Sequence, residues 1–564
     1  MLTQLRWQIA LALAGVLVIG AILFFVSDRA FVDRPARGGQ YVEAVIGAPA
    51  TYNPLLARTD AEVSLTRLMF SGLTRPAPGA GMPQPDLAER WRISPDGRIY
   101  TFFLRPGATW HDGEPVTADD VLFTVALAQD PAIPDAQKTR LAEPWQGTTL
   151  RKVDDQTVEV VLPEPFAPFL SAAMLPILPE HLLAGQAPGE IAGSRFSKFA
   201  PVGSGPYKLV TTGDIPPDAD RLQRYEGHWS NQDGRPYLDT IELRYFPSPE
   251  AAVEAVGRRE AQGMGRVPPA ALTQLGDEVS IYSAVQSGYM LIYLNPSNPL
   301  LVNASVRQAL SLALDRRALI AAEDLLDGQG LLATSPIPAG SWAFDADIPE
   351  PTYSPEQAAT ELDQAGWLDS DGDGWRDRDG QLLSIPLSTP GDNPLLVAMA
   401  DRVAEGWTRI GISVTVQALS PQNLATTVNN RAFTALLYSL ELPFYDPDPY
   451  ALWHSSQVAA PGINYAGYAN PEVDRLLAEA RRMNPETDLA ERQARYAEFQ
   501  RIFAQDLPAL MIAYPVYTYV VSDAAVGGIQ MPPLVVEPAD RFQTLARWFT
   551  QTERVFREDS SPAP

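Results

Sequence analysis

A mixed α/β fold divided into more than one domain is what this sequence predicts, and three observations carry it. The chain has 564 residues, more than one ordinary hydrophobic core accommodates. Strand-like and helix-like segments alternate along most of it, the pattern of a lobe in which helices cover a sheet. An apolar run near the start, Trp7 to Val26, is long enough to cross a bilayer at ~1.5 Å per helical residue. The folded body is therefore expected to follow an N-terminal transmembrane helix.

That run is interrupted only by Gln8 and two glycines. A cleaved signal peptide is the alternative, but its apolar region is usually shorter and ends in small residues. Here the run leaves through Phe24-Phe25-Val26-Ser27-Asp28-Arg29, which is no such cleavage site. Flanking charge does not orient it, since Arg6 precedes it and Arg29, Arg34 and Arg37 follow. Residues 27–38 read as a stalk, and Arg557 to Pro564 as a disordered polar tail.

Between these ends, Tyr41 to Ile46 is strand-like and turns at Gly47-Ala48-Pro49 into the Tyr52-Asn53-Pro54 loop. Trp91 to Ser94 and Ile99 to Leu104 flank Pro95-Asp96-Gly97, where Gly takes positive φ cheaply and Asp bonds its own turn, so they form a hairpin. Thr117 is placed to cap a helix whose first turn holds Asp119 and Asp120, acidic as the helix dipole favours. Val153 to Leu162 and Ile241 to Phe246 read as strands, and Pro249 to Arg259 as a helix. Ser354-Pro355-Glu356-Gln357 supplies N-cap, first-turn proline and capping-box Gln to a helix that stops at Gly366. Leu395 to Ile410 is helical, and Ile412 to Leu419 and Phe433 to Leu440 are strands.

Composition narrows the function. Hydrophobic residues at 46% and charged residues at 20% mark a globular chain. A formal net charge of −25 argues against nucleic acid, because neutralising phosphates needs concentrated Lys and Arg. With no cysteine, disulfides, zinc thiolates and thiol catalysis are excluded.

Four segments then occur in one order. Pro85 to Ala126 contains Pro-x-Leu-Ala-x-x-Trp, Asp-Gly, Phe-x-Leu-Arg-x-Gly, His-Asp-Gly and Thr-Ala-x-Asp-Val; Pro201 to Tyr207 reads PVGSGPY; Tyr293 to Ile320 holds a strand ending in Asn followed by Val-Arg-Gln-Ala and Ala-x-Asp-Arg; Asp446 to Asp474 contains DPDPYALWHSS and NYAGYANPEVD. This order resembles the extracellular solute-binding proteins of peptide and nickel ABC importers (family 5, dipeptide- and oligopeptide-binding-protein-like). The resemblance implies a two-lobed periplasmic-binding-protein-like fold (type II, cluster C) with an extra subdomain. On this chain it places lobe I at 38–56, 201–288 and 510–556, the extra subdomain at 57–200 and lobe II at 289–509. The lobes would be joined by two apolar crossings, Gly288 to Asn295 and Leu507 to Pro515, which permit hinge bending without shear of either core. Many relatives are tethered through a lipidated cysteine, which this chain lacks.

The resemblance also implies the site. Tyr289, Tyr293, Asn295, Tyr438, Glu441, Phe444, Tyr445, Asp446, Trp453, Asn464 and Tyr465 fall on cleft-facing segments, with Tyr52 and Asn53 from lobe I. Aromatic faces give large contact at low entropic cost and amides orient polar ligands; core packing is the competing role for each ring. In peptide-binding relatives an Asp three or four residues before the acidic-Pro pair holds the ligand's α-ammonium. Aligned on Asp446-Pro447, that place falls on Pro443 or Leu442, so an ammonium would depend on Glu441 or Asp446 instead.

Other chemistry is poorly represented. Asp369, Asp371 and Asp373 before Gly374 match the first half of a calcium loop, but Gly380 stands where a bidentate Glu is required; the string reads as a solvated turn, with a weak calcium site as the alternative. The histidines 111, 181, 228 and 454 lack zinc spacing, and only His454, in the cleft segment, keeps a nickel chelate open as ligand. GxSxG, Walker and HExxH motifs are absent. No cofactor is expected. The expected function is that of a monomeric extracytoplasmic receptor, held to the membrane, which captures a peptide-like ligand and passes it to ABC permease subunits. An oligosaccharide receptor of the same fold, a cleft hydrolase with two convergent carboxylates and a ligand-free sensory scaffold are the alternatives.

Overall fold

The computed structural model describes residues 13–15, 31–77, 79, 81–231, 235–276, 279–522 and 526–556. The apolar run Trp7 to Val26 lies outside them except for 13–15, as does the tail from Arg557. Among the described residues no helix is long and apolar enough to cross a membrane.

The spine of the molecule is a pair of buried strands. Gly288–Leu294 is buried at all seven positions, and its neighbour Ala509–Ser522 is a continuous strand of 14 residues. Successive side chains of a strand point to opposite faces, and here both faces are covered: Met290, Ile292 and Leu294 enter one core while Tyr289, Leu291 and Tyr293 enter another. This explains why the segment reads as an unbroken apolar run. The two strands pair antiparallel, with a shift of register between Met290 and Leu291.

From this spine a sheet extends in both directions. On one side lie Ala435–Glu441, Ser384–Pro390 and Ser413–Leu419; on the other, Gly263–Gly265, Gln40–Ile46, Thr240–Phe246, Ala219–Arg224 and Tyr207–Leu209. The first group is covered by helices including Pro394–Thr408, Pro471–Arg482 and Leu489–Asp506. Only Ser287 separates Gly288–Leu294 from the preceding strand, Val279–Gln286, which also pairs with Ala509–Ser522. Chain therefore passes between the halves through Ser287 and through the long strand.

A separate four-stranded antiparallel sheet, in the order Ala88–Ile93, Ile99–Leu104, Thr157–Val161 and Thr149–Asp154, stands beside the second group. It shares a core with it, in which Tyr100, Phe102, Trp110 and Trp145 are fully buried. Of the stretch expected as one strand, Val153 to Leu162, Thr157–Val161 is a strand, whereas Val153 and Asp154 end the preceding strand Thr149–Asp154: the Asp154 carboxylate accepts the Gln156 N–H at 2.8 Å in the turn between the two. The PVGSGPY turn packs against the end of the helix Asp60–Met69. The Gly205 N–H donates to the Met69 carbonyl at 2.8 Å, and a Cβ on Gly205 would lie 2.6 Å from the Met69 carbonyl carbon. Backbone-to-backbone approach this close admits only glycine.

The expected stalk differs from what forms. Phe31–Ala36 is a strand paired antiparallel with Gln551–Phe556, from Phe31 opposite Phe556 to Ala36 opposite Gln551. The two ends of the described body thus leave it together as one ribbon.

Candidate interlobe binding site

Three sets of contacts hold the two sides of the molecule together. On the helix Asp60–Met69, the Arg67 guanidinium donates to the Tyr445 hydroxyl at 2.7 Å and to Glu537 at 2.7 Å, with Asp540 at 3.3 Å. The Tyr445 hydroxyl in turn donates to Asp540 at 2.8 Å. Further along, Arg481 lies over the Phe166 ring at 4.8 Å, its carbonyl accepts the Ala167 N–H at 2.8 Å, and Trp91 Nε1 donates to Glu486 at 2.8 Å. Near Ser287, Arg266 faces Glu441 at 3.6 Å.

The crevice between these contacts has about 50 Å³ of free volume, where ligand sites commonly have ~300–1,000 Å³. The lobes are therefore closed, and a ligand of peptide size enters only when they part. The walls are mostly apolar and proline-rich, with Pro336, Pro338, Leu442, Phe444, Pro447 and Val536 among them. Gln543 also belongs to the wall, and its carbonyl oxygen is buried without a hydrogen-bond partner among the described residues.

Every carboxylate at the cleft is already engaged. Asp446 is buried and meets the fully buried Arg492 through both oxygens, at 2.9 and 3.1 Å; Arg492 also donates to the Ala480 carbonyl at 2.9 Å. Asp448, in the second Asp-Pro pair, is held by Arg481 at 3.1 Å. Burial pushes the Asp448 carboxyl upward and Arg481 pulls it back. Burial likewise raises Glu537, against the pull of Arg67. Burial opposes the Arg67 charge, but Tyr445, Asp540 and Glu537 together hold its pKa above the ordinary value. The Tyr445 phenol is raised, first by burial, and so remains a donor.

Of the residues expected from sequence, Phe444, Tyr445 and Asp446 line the crevice. Tyr289, Tyr293, Tyr438, Trp453 and Tyr465 are brought together beneath it in one core. There the Tyr293 ring stands 5.9 Å from Trp453 and 6.2 Å from Tyr465, and Tyr293 OH is buried without a partner among the described residues. Glu441 lies at the Arg266 contact and accepts from Gln286 at 3.2 Å.

The amides do other work. Asn53 donates to the Ser197 hydroxyl and accepts the Leu55 N–H; Asn295 donates to the Arg431 and Phe433 carbonyls; Asn464 donates to the His454 and Tyr468 carbonyls and accepts the Tyr468 N–H. Each amide is spent on bonds within its own lobe, so these amides are structural here. Tyr52 donates to Asp220 at 2.9 Å, within the other lobe. Arg67, Glu537, Asp540 and Gln543 were not among the expected residues. No local pattern marks them, although the second Asp-Pro pair at Asp448 is visible as a repeat of the first.

Asp369, Asp371 and Asp373 have carboxylate oxygens within 4.8 Å of one another, all three exposed. Asp369 accepts the Gly372 and Gly374 N–H groups, Asp371 that of Asp373, and Asp373 that of Trp375. These carboxylates hold the turn itself.

A two-lobed body closed over a crevice defines a ligand-binding receptor. The chain belongs to the bacterial extracellular solute-binding proteins, family 5, whose middle-region model matches residues 82–461, and like that family it is a substrate receptor rather than an enzyme. The oligopeptide-binding protein AppA of Bacillus subtilis is 29% identical over 527 residues, covering 90% of this chain and 94% of that protein. Its structure in complex with a nonapeptide superposes with a TM-score of 0.66 at 27% identity, over 92% of this chain and all of that one. The dipeptide-binding protein of Escherichia coli is 26% identical, over 90% and 94% of the two chains. HbpA2 of Haemophilus parasuis shares the fold, with a TM-score of 0.77 at 22% identity over 91% of this chain and 100% of that one.

Proposed function

We propose that this protein is the extracytoplasmic receptor of an ABC importer and closes on a peptide-like ligand held by its main-chain amides and apolar side chains rather than by a free terminal ammonium. The observation that carries this reading is the commitment of each cleft carboxylate to an arginine: Asp446 to Arg492, Asp448 to Arg481, Glu537 and Asp540 to Arg67. A buried ammonium without its own counter-charge costs several kcal/mol. Gln543, in the wall, carries a buried carbonyl oxygen with no partner among the described residues, an acceptor suited to an amide N–H once the lobes part. Phe444, Tyr445 and the prolines supply the apolar contact. Closure transmits occupancy to the permease because the ligand favours the closed arrangement over the open one.

Calorimetry on one peptide series with free and acetylated amino termini tests it. Acetylation is expected to leave affinity unchanged or improved; a tenfold loss, about 1.4 kcal/mol, overturns the reading and makes Glu441 the first anchor to examine.

The segment Trp7 to Val26 is the membrane tether in this reading, supported by its length and by its exit through residues unlike a cleavage site. The paired ends Phe31–Ala36 and Gln551–Phe556 would then form the neck between membrane and body. The division proposed for the body is lobe I at 38–56, 201–288 and 510–556, the extra subdomain at 57–200 and lobe II at 289–509.

A further inference from the structure

Three arginines are buried among the described residues: Arg316, Arg492 and Arg541. Arg492 and Arg541 close on Asp446 and Glu43. Arg316 makes no ion pair among the described residues, and its guanidinium is held only by neutral acceptors. Nε donates to the Met511 carbonyl at 2.6 Å, Nη1 to the Ser311 and Leu314 carbonyls at 3.0 and 3.4 Å, and Nη2 to the Ser311 hydroxyl at 3.1 Å. A guanidinium has five N–H donors, so one on Nη2 is left over. Burial alone, with no charge opposing it, lowers this group to about 9. Buried charges are normally paired.

Arg316 borders a cavity of about 490 Å³ that shares no lining residue with the interlobe crevice. Thr334, Gln308 and Thr360 also line it. Leu507, at its edge, is the left-handed C-cap (φ 48°) of the helix Leu489–Asp506, its N–H donating to the Phe503 carbonyl at 3.0 Å. Phe503 and Leu507 make part of the wall apolar, while Glu350 and Glu361 place negative charge on it.

We propose that this cavity is a second ligand site, which takes a monocarboxylate with an apolar body, the carboxylate on Arg316 and the body against Phe503 and Leu507. Glu361 disfavours a dianion such as phosphate, whereas Glu350 is paired with Arg317. The site is independent of the cleft ligand, and its carboxylate supplies the counter-charge that Arg316 lacks. Because Arg316 also holds the Met511 carbonyl on the long crossing strand, occupancy stiffens that strand beside the hinge.

The test is calorimetry on the full chain in lipid nanodiscs, with empty nanodiscs subtracted, using 3-phenylpropanoate, 3-phenylpropanol and inorganic phosphate as probes. The carboxylate is expected to bind at one site per chain and at least tenfold more tightly than the alcohol or phosphate. Arg316→Met is expected to weaken it at least tenfold. Where that variant loses its native circular dichroism, Ala504→Phe, which fills the cavity and keeps Arg316, decides instead and is expected to abolish binding. Absence of carboxylate binding, equal binding of the alcohol, tighter binding of phosphate, or unchanged affinity in Ala504→Phe overturns the proposal.

Discussion

The Arg67 guanidinium and the Tyr445 hydroxyl meet at 2.7 Å from opposite sides of the cleft, 378 residues apart in sequence. Together with Glu537 and Asp540 they form a four-member network that spans the lobes with two carboxylates, one cation and one phenol. Such charge-assisted hydrogen bonds are stronger than neutral ones, so the network biases the receptor toward closure before any ligand contributes.

Tyr445→Phe removes the hydroxyl and leaves the ring. A hydrogen bond to a charged group contributes ~1.5–3 kcal/mol, so the closed arrangement is expected to lose tenfold or more in population relative to the open one. Small-angle scattering of the ligand-free protein should then show a larger radius of gyration than wild type. Identical scattering curves would mean that the network does not set closure.

Asp446 and Arg492 act inside one lobe. Removing one partner of a buried ion pair costs ~3–5 kcal/mol, and Asp446→Asn is expected to lower unfolding stability in urea by that order. Glu441→Gln, at an exposed pair, should change it by less than about 1 kcal/mol. Loss of ligand affinity in Asp446→Asn at an unchanged urea midpoint would assign Asp446 to the ligand instead of to the fold.

Acid should weaken the body through His111 and His228. His111 Nε2 contacts the Gly205 carbonyl at 2.9 Å, and its Nδ1 accepts the Gly203 N–H at 3.2 Å, an arrangement that requires the neutral ring. Burial depresses His111 to about 4 and His228 to about 3. With folded values below the ordinary 6.5, the unfolded chain binds protons first as pH falls. Their contribution is complete above pH 6.5 and is lost progressively down to pH 3–4. The half-buried Asp86, raised to about 6 by desolvation, acts in the opposite direction. Comparing wild type with His111→Gln isolates the histidine: urea unfolding at pH 7 and pH 4.5 should show a smaller acid-induced loss in the variant, and equal losses would remove His111 from the account.

Val16→Arg tests the tether. A charge at the centre of an inserted helix costs ~2.5–3.5 kcal/mol on insertion scales, so the variant is expected to appear in the soluble fraction while wild type remains with the membrane. Recovery of wild-type mature protein beginning near residue 31 would instead establish cleavage.

Where neighbouring residues decide structure, the sequence by itself determined it. The hairpin Ala88–Ile93 and Ile99–Leu104 follows from its Pro-Asp-Gly turn, and the helix Pro355–Gln364 from Ser354, whose hydroxyl accepts the Gln357 N–H at 3.3 Å. The apolar crossing Gly288–Leu294 was legible because strands buried on both faces lose their alternation. Pairing across long separations was not. Phe31–Ala36 looked like a stalk because its partner begins at Gln551, and Arg67 reaches Tyr445, Glu537 and Asp540 only once three distant segments are folded together. Side-chain direction was equally hidden: Asn53, Asn295 and Asn464 turn their amides inward to bond backbone groups, because burial leaves polar groups to find partners within the fold, and Trp453 packs its ring into the core. Sequence carries local conformation and the burial of whole segments, whereas the direction of a given side chain depends on contacts that exist only after both lobes have formed.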